Sequence, residues 1–493
     1  MIYNFNLGIG WASSGVEYAQ IYRAKMFRNI GVEAKFVFTD MFPSENIEHM
    51  TKNIGFLDSE IIWLYTFFTD FKIAPVTYTL SDLEKTFSNT EYTKSREGKI
   101  CRYVFGGSNN FYTAYMVNDQ DDFVHRVEMV SNGCLIRKDY FTYGRVYSEY
   151  YAPLDNKAHL YHRRFFNEDG SIAYEEIIDD NQVMYIFKDK ILCSKEELVG
   201  YMVSKLHLTS DDVVLIDRST DIGQSILMHC KPAKAGTIVH ADHFSEKDTN
   251  EDYILWNNYY EYEFNMYKHI DFYICSTQAQ SDLMIQQFEK YYGFTPCVYT
   301  IPVGSLPELK YPKEKRKPFS LITASRLASE KHVDWICKAV IQARSEVPEL
   351  SLDIYGEGGE KSKLENIIRN HNAQDYIHLM GQHDLSEVYQ NYEAYIAGST
   401  SEGFGLTLME AVGGGLPIIG FDVRYGNPTF IRNGENGYLL ELPEEDKDRI
   451  EALRKGIVDL FKQDLERCHL ISYDVALDFL TSCVQEKWRE AVC

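Results

Sequence analysis

The segment Ser401-Glu402-Gly403-Phe404-Gly405-Leu406-Thr407-Leu408-Met409-Glu410-Ala411 holds two carboxylates, Glu402 and Glu410, with seven residues between them. Gly403 and Gly405 stand between an expected strand and an expected helix. Glycine there lets the backbone come close to a ligand, and a helix start offers N–H groups to anionic or polar oxygens. A plain strand-to-helix turn with a solvated glutamate near a helix dipole fits these residues alone equally well. A second cluster, Ala324-Ser325-Arg326-Leu327-Ala328-Ser329-Glu330-Lys331, also follows a strand and precedes a helix. Arg326, as a planar fork, and Lys331, as a point charge, suit a diphosphate clamp; two solvated loop cations are the alternative. The Gly8–Gly15 loop matches neither GxGxxG nor GxxxxGK[ST], so an ordinary βα turn stays open for it. His240 and His243 follow the Thr237–Val239 strand. They lack an evident third ligand, and two nearby histidines are more often structural than a metal site.

These clusters need strands and helices to hold them. Ile2 to Leu7, the glycine-rich loop, Val16 to Asn29 with helical spacing, and Ala34 to Thr39 open a βαβ unit. From about 65 to 200 the texture changes to short strands, such as Arg102–Phe105 and Phe111–Val117. Gly106–Asn109, Asn118-Asp119, Asn132-Gly133 and Asp169-Gly170 punctuate them. This predicts an antiparallel β-meander, rich in tyrosine, with polar Ser88–Gly98 as a mobile connection near its start. The apolar runs Val213–Asp217, Thr237–His240 and Phe272–Ser276 return to parallel-sheet character. Pro312–Pro318 is charged and proline-flanked and reads as a linker. A second series follows, with strands at Phe319–Ala324, Leu352–Tyr355, Ile377–Met380, Ala394–Ala397 and Pro417–Phe421, and helices at Val333–Arg344 and Lys361–Asn370. The expected fold class is α/β. Residues 1–64 and 201–311 form one Rossmann-like domain, 65–200 the inserted meander, 312–475 a second Rossmann-like domain, and 476–493 a terminal helix crossing back to the first domain. In such sheets ligands sit at the carboxyl ends of strands, which is where all four clusters fall.

Composition narrows the function. The chain has 493 residues, a formal charge of -23, 36 tyrosines and 28 phenylalanines. So acidic a protein is a poor nucleic-acid binder. The ten cysteines include no CxxC pair and read as free thiols in a reducing compartment. MIYNFNLGIGW has no basic leader, apolar core or cleavage site, so no signal peptide is expected, and no apolar run is long enough to span a bilayer. A cytoplasmic location follows as an expectation. Peripheral contact with the inner face of the cell membrane stays open.

The Glu402/Glu410 and Arg326/Lys331 pairs on tandem α/β halves resemble the two-domain (GT-B) glycosyltransferases of family 4. Asn6–Tyr18, Asn250–Tyr260, Thr323–Leu327 and the meander resemble the GtfA-type O-GlcNAc transferases of serine-rich repeat adhesins. The resemblance implies two Rossmann-like domains facing a cleft. It implies a retaining enzyme that moves GlcNAc from UDP-GlcNAc to Ser/Thr hydroxyls of the adhesin, the first step of its O-glycosylation. A related non-catalytic subunit would be its partner, and no metal or other cofactor is expected. Residue by residue, it implies that Glu410 binds the ribose. Glu402, with the backbone of Gly403, Phe404, Gly405 and Leu406, holds the sugar and pyrophosphate. Arg326 and Lys331 neutralise the leaving diphosphate, and Gln382 and His383 meet the uracil. Gly15, Val16, Glu17 and Tyr18 line the opposite side, and His240 touches the transferred sugar. The alternatives are a non-catalytic acceptor-binding subunit, or a transferase using another UDP-hexose or a non-protein acceptor.

Overall fold

The near-continuous apolar runs become parallel strands, and the punctuated tyrosine-rich region becomes one antiparallel sheet. The computed structural model describes residues 1–9, 15–88, 90–107, 109–180 and 182–493. Residues 10–14 of the glycine-rich loop lie outside the described residues. The chain divides into two units. Met1–Ala24, Val32–Thr237 and Asn258–Asp271 form the first, and Lys25–Gly31, Ile238–Asn257 and Phe272–Cys493 the second.

In the first unit Lys234–Val239, Val213–Ile216, Ile2–Asn6, Ala34–Phe38 and Ile61–Trp63 lie side by side in that order, all parallel. Val213 to Ile216 are all buried, as expected for a strand covered on both faces. A polar chain fixes helix Gly15–Ile30 to the strand ends. Asn6 Nδ2 donates to Gln20 at 3.2 Å, Gln20 Nε2 to Asp217 at 2.9 Å, and Arg23 Nη2 reaches both Asp217 oxygens at 2.6 and 2.8 Å. This buried ion pair sets the start of the helix, where Gly15 to Tyr18 sit.

Glu263 is a buried carboxylate of the same unit. Burial pushes its pKa up to about 7, against a smaller lowering by a hydrogen bond from Ser219. The folded state therefore keeps a proton that the unfolded chain releases near 4.5. The contribution is complete below that value and is lost as pH rises through about 7. Glu263→Gln is expected to flatten this slope and to raise the melting temperature at pH 8 relative to the native chain, with no gain at pH 4. Parallel melting curves for the two proteins across that range would refute the assignment.

The inserted sheet has ten strands, from Thr93–Glu97 to Ile191–Leu192, each paired antiparallel with its neighbour in sequence. Asn132 and Gly133 both take positive φ in the tight turn between Val124–Ser131 and Cys134–Phe141, which matches the right-handed twist of a hairpin. The Ser88–Gly98 expectation needs correction: Thr93–Glu97 is an edge strand. Its residues are all exposed, so no hydrophobic alternation marks it. Pairing with Ile100–Val104 and the ion pairs Lys94–Glu84 at 2.7 Å and Arg96–Asp122 at 2.6 Å hold it. Some of the tyrosines face inward, while others such as Tyr92, Tyr143 and Tyr161 are exposed. Tyr103, Tyr174 and Tyr185 are fully buried, and stacked pairs such as Phe165–Tyr174 at 4.4 Å and Tyr140–Tyr147 at 4.3 Å bind the sheet together. A groove of about 730 Å³ keeps Tyr78, Phe87, Phe105, Phe111, Tyr112 and Phe141 along its walls.

The second unit contains six parallel strands in the order Ile377–Gly381, Ser351–Tyr355, Ser320–Ala324, Ala394–Ile396, Ile418–Phe421 and Gly437–Leu440. Helix Val333–Ala343 buries Trp335, Ile336 and Val340 in a core with Leu321, Leu352 and Ile354. Strand Gly437–Leu440 was not anticipated, because it is short and half-buried. Pro312–Pro318 is not simply a solvated linker. Arg316 is buried and donates to the carbonyls of Gln390, Tyr392 and Gly414 at 3.0, 2.8 and 2.8 Å. A ring of carbonyls does for this cation what water would do elsewhere. Helix Thr481–Val492 ends the chain, and its Trp488 meets Phe27 edge-on at 5.2 Å. Among the described residues no helix is long and apolar enough to cross a membrane.

Candidate active site

Loops at the carboxyl ends of the second unit's strands carry the site. Gly405 adopts φ 89° and ψ 73°, a left-handed conformation that turns the chain from Ala394–Ile396 into helix Leu406–Gly413. Among the described residues no side-chain hydrogen bond caps that helix at Gly405. Glu402 is fixed through its main chain. Its N–H donates to the Arg424 carbonyl at 3.1 Å, and its own carbonyl accepts from Tyr425 and Gly426 at 2.6 and 2.7 Å. The Glu402 side chain accepts from Lys331 Nζ at 2.6 Å. Gly398 lets the Lys331–His332 backbone pass, since a Cβ there would lie 2.8 Å from the His332 oxygen.

Arg326 points elsewhere. Its side chain is 74% exposed and pairs with Glu330 at 2.7 Å. The backbone beside it is tightly placed all the same, because Gly356 and Gly358 lie directly against Ser325 and Leu327. Glu410 is largely buried and accepts from the Tyr389 hydroxyl at 3.0 Å. Burial raises its pKa, and the Tyr389 bond partly offsets that. Gln382 and His383 are exposed in the loop after Ile377–Gly381, and the His383 ring stands perpendicular to Tyr355 at 5.9 Å.

His240 belongs to the same unit as Glu402, and its carbonyl would lie 3.6 Å from a Cβ placed on Gly403. His243 is structural. One ring nitrogen is 2.7 Å from Gln287 Oε1 and the other 3.2 Å from the Tyr425 hydroxyl. Burial lowers its pKa to about 4, so it is neutral at pH 7. Among the described residues no group of three His, Cys, Asp or Glu side chains is gathered where a metal could bind.

The structure thus brings together His240, Lys331, Glu402, Gly403 and Gly405. Glu410 is on helix Leu406–Gly413 against Tyr389, and Arg326 is turned to Glu330. Gly15, Val16, Glu17 and Tyr18 are in the first unit, where Glu17 is buried 3.4 Å from Arg218 and Tyr18 is exposed. Three supports went unread in the sequence: Gly356 with Gly358, the Arg424–Gly426 segment, and the Asp242–Tyr425 contact. The first had a signal, since Gly356-Glu357-Gly358-Gly359 directly follows a strand.

Residues 93–189 match the GtfA extended beta-sheet domain, and residues 308–473 match the glycosyl transferases group 1 family. The chain is 53% identical to a UDP-N-acetylglucosamine–peptide N-acetylglucosaminyltransferase GtfA subunit of Streptococcus agalactiae, over 99% of this chain and 97% of the relative. The chain belongs to the GtfA family. A GtfA subunit of Streptococcus pneumoniae is 51% identical over 100% of this chain and 98% of its own. Among solved structures, a GtfA/B complex superposes with a TM-score of 0.96 at 53% identity, covering 100% of this chain and 99% of the other. The pneumococcal O-GlcNAc transferase GtfA, solved with UDP and GlcNAc, gives a TM-score of 0.86 at 50% identity over 100% and 98%. The architecture is accordingly of the GT-B type with an antiparallel ten-stranded addition.

Proposed function

We propose that this chain transfers GlcNAc from UDP-GlcNAc to Ser and Thr hydroxyls of a polypeptide, as the catalytic member of a heteromer. The observation that carries this is full-length kinship: 53% identity over 99% of the chain to a peptide N-acetylglucosaminyltransferase subunit. The finer reading is that the acceptor is a serine-rich repeat adhesin, that this is its first sugar, and that the partner is a related non-catalytic subunit.

The chemistry assigned to the chain's residues is electrostatic. UDP departs with growing negative charge. Lys331 and the first turn of helix Leu406–Gly413 stabilise that charge, joined by Arg326 once it exchanges Glu330 for the diphosphate. The reading assigns no metal to this work. Glu410 takes the ribose hydroxyls, Gln382 and His383 the uracil, and Glu402 with His240 the sugar. Gly15, Val16, Glu17 and Tyr18 are assigned to the donor as well. Retention follows from same-face displacement: the acceptor oxygen bonds to the anomeric carbon, the bond to the UDP oxygen breaks, and that oxygen takes the acceptor proton. The alternative of a non-catalytic subunit is disfavoured because Arg326, Lys331, Glu402 and Glu410 are all present in the sequence. The proposed place of action is the cytoplasm.

Labelled UDP-GlcNAc, a Ser/Thr-rich acceptor and the partner subunit test the reading, and no incorporation would overturn it. Other UDP-hexoses in the same assay measure donor choice. The insertion is assigned to partner and acceptor, with its aromatic groove suited to an extended chain. A chain lacking residues 65–200 is expected to keep hydrolysing UDP-GlcNAc but to lose protein glycosylation. Loss of both would make the insertion a structural element instead.

A further inference from the structure

We infer that Tyr425 is a positioning residue that locks the loop bearing His240 to the loop bearing Glu402; this rests on the transferase reading above. Tyr425 is nearly fully buried in the second unit. Its two ends hold different segments. The backbone N–H of Tyr425 and that of Gly426 donate to the Glu402 carbonyl at 2.6 and 2.7 Å, and Glu402 N–H returns a bond to Arg424 at 3.1 Å. A Cβ on Gly426 would lie 2.2 Å from the Phe404 carbonyl, so this backbone runs directly under the Glu402–Gly405 turn.

The phenol reaches the other segment. Its hydroxyl donates to Asp242 Oδ1 at 2.5 Å and lies 3.2 Å from His243 Nδ1. The two rings are near parallel, 6.0 Å apart. His243 is secured in turn by Gln287 at 2.7 Å on helix Gln278–Tyr292. Next to this pair, Arg424 meets Glu246 at 2.8 Å and lies over the Phe244 ring at 4.9 Å. Asp242 and His243 follow His240 on the same loop after Ala241, and the His240 carbonyl faces Gly403.

One residue therefore fixes the spacing between His240 on one loop and Glu402 with Gly403 on the other. A buried phenol fully engaged by hydrogen bonds is a stiff spacer, and a loss of about 1 Å in such a register can cost about a hundredfold in rate. Gln382 and His383, assigned to the uracil, follow a different strand, Ile377–Gly381, and Glu410 lies a turn into helix Leu406–Gly413, past the Glu402–Gly405 turn that Tyr425 holds.

Tyr425→Phe keeps the ring and every backbone bond and removes only the hydroxyl. In the full chain with its partner subunit, kcat for GlcNAc transfer is expected to fall at least tenfold. The Kd for UDP is expected to stay within about twofold of wild type, and Asp242→Asn, which keeps an accepting oxygen, to fall less than Tyr425→Phe. Wild-type kcat in Tyr425→Phe would overturn the inference and leave the transferase reading intact. So would a matched loss of UDP affinity and melting temperature, which marks a merely structural residue. If the wild-type complex transfers no GlcNAc at all, the functional reading falls and this inference falls with it.

Discussion

Glu402→Ala is expected to lower GlcNAc transfer by about a thousandfold while the melting temperature stays within a few degrees of wild type. The separation of effects follows from how Glu402 is held. Its three loop contacts are made by main-chain atoms, so alanine keeps them. What is lost is the carboxylate facing Lys331 Nζ at 2.6 Å. Both side chains of that pair are partly exposed, at 22% and 20%, so its removal costs folding about 1 kcal/mol or less. The loss falls on the site instead. Lys331 loses the group that aims its ammonium, and the sugar loses the acceptor assigned to its hydroxyls. Glu402→Gln, which keeps the shape but not the charge, should fall between wild type and alanine. Steady-state transfer rates and a thermal melt check both halves, and wild-type turnover in the alanine variant would remove Glu402 from the site.

Gly356→Ala is expected to damage both activity and stability. Gly356 has φ 129°, and a Cβ there would sit 1.9 Å from the Ser325 carbonyl oxygen. That neighbour is backbone, so it cannot rotate aside as a flexible side chain would. Gly356 N–H also donates to the Gly381 carbonyl at 2.8 Å, and Ser325 N–H to the Tyr355 carbonyl at 3.1 Å, which limits movement on both sides. The added methyl must push the Ser325–Leu327 segment outward and carry Arg326 with it. A cost on the order of 3 kcal/mol in stability follows from the backbone strain and overpacking together. On the proposed reading transfer should drop by about a hundredfold, because the cation assigned to the diphosphate is displaced by about an ångström or more. A Gly359→Ala control, where nothing lies within 4 Å of the added carbon, should behave as wild type. Equal behaviour of the two variants would show that the close approach has no consequence for the site.

The sequence was most legible where one physical signal dominated. Val213–Ile216 and Ser320–Ala324 are buried on both faces and read as unbroken apolar runs. Asn132-Gly133 announced its hairpin because both positions need positive φ. Thr93–Glu97 was not legible as a strand, since an edge strand with no buried residue has no alternation to read. The burial of Arg316 within the Pro312–Pro318 segment was not legible, because its compensation comes from three carbonyls 74 to 98 positions away. In the site, the Glu402–Ala411 stretch and Lys331 stood out by type and spacing, and the fold puts Lys331 on Glu402. The turn of Arg326 toward Glu330 and the reach of Tyr425 to Asp242 depend on side-chain direction and on contacts between distant segments. The first joins residues only four apart, whereas no local pattern encodes the second.

The strict sequential order of the ten-stranded sheet has a consequence for how the chain is made. Each of its pairings joins neighbouring hairpin arms, so each can form as soon as its two strands have left the ribosome. The parallel sheet of the first unit has this freedom only in part, since Ile2–Asn6 can pair early with Ala34–Phe38 but not on its other side. Ile2–Asn6 must wait for Val213–Ile216, and even the amino group of Met1 reaches its partner Asp212 across 211 positions. Contacts so far apart in the chain are slow to close, whereas local ones are fast. During synthesis the insertion is therefore the first large piece to become native. It shortens the loop that the first strand must close, and a destabilised meander would delay assembly of a sheet it does not belong to.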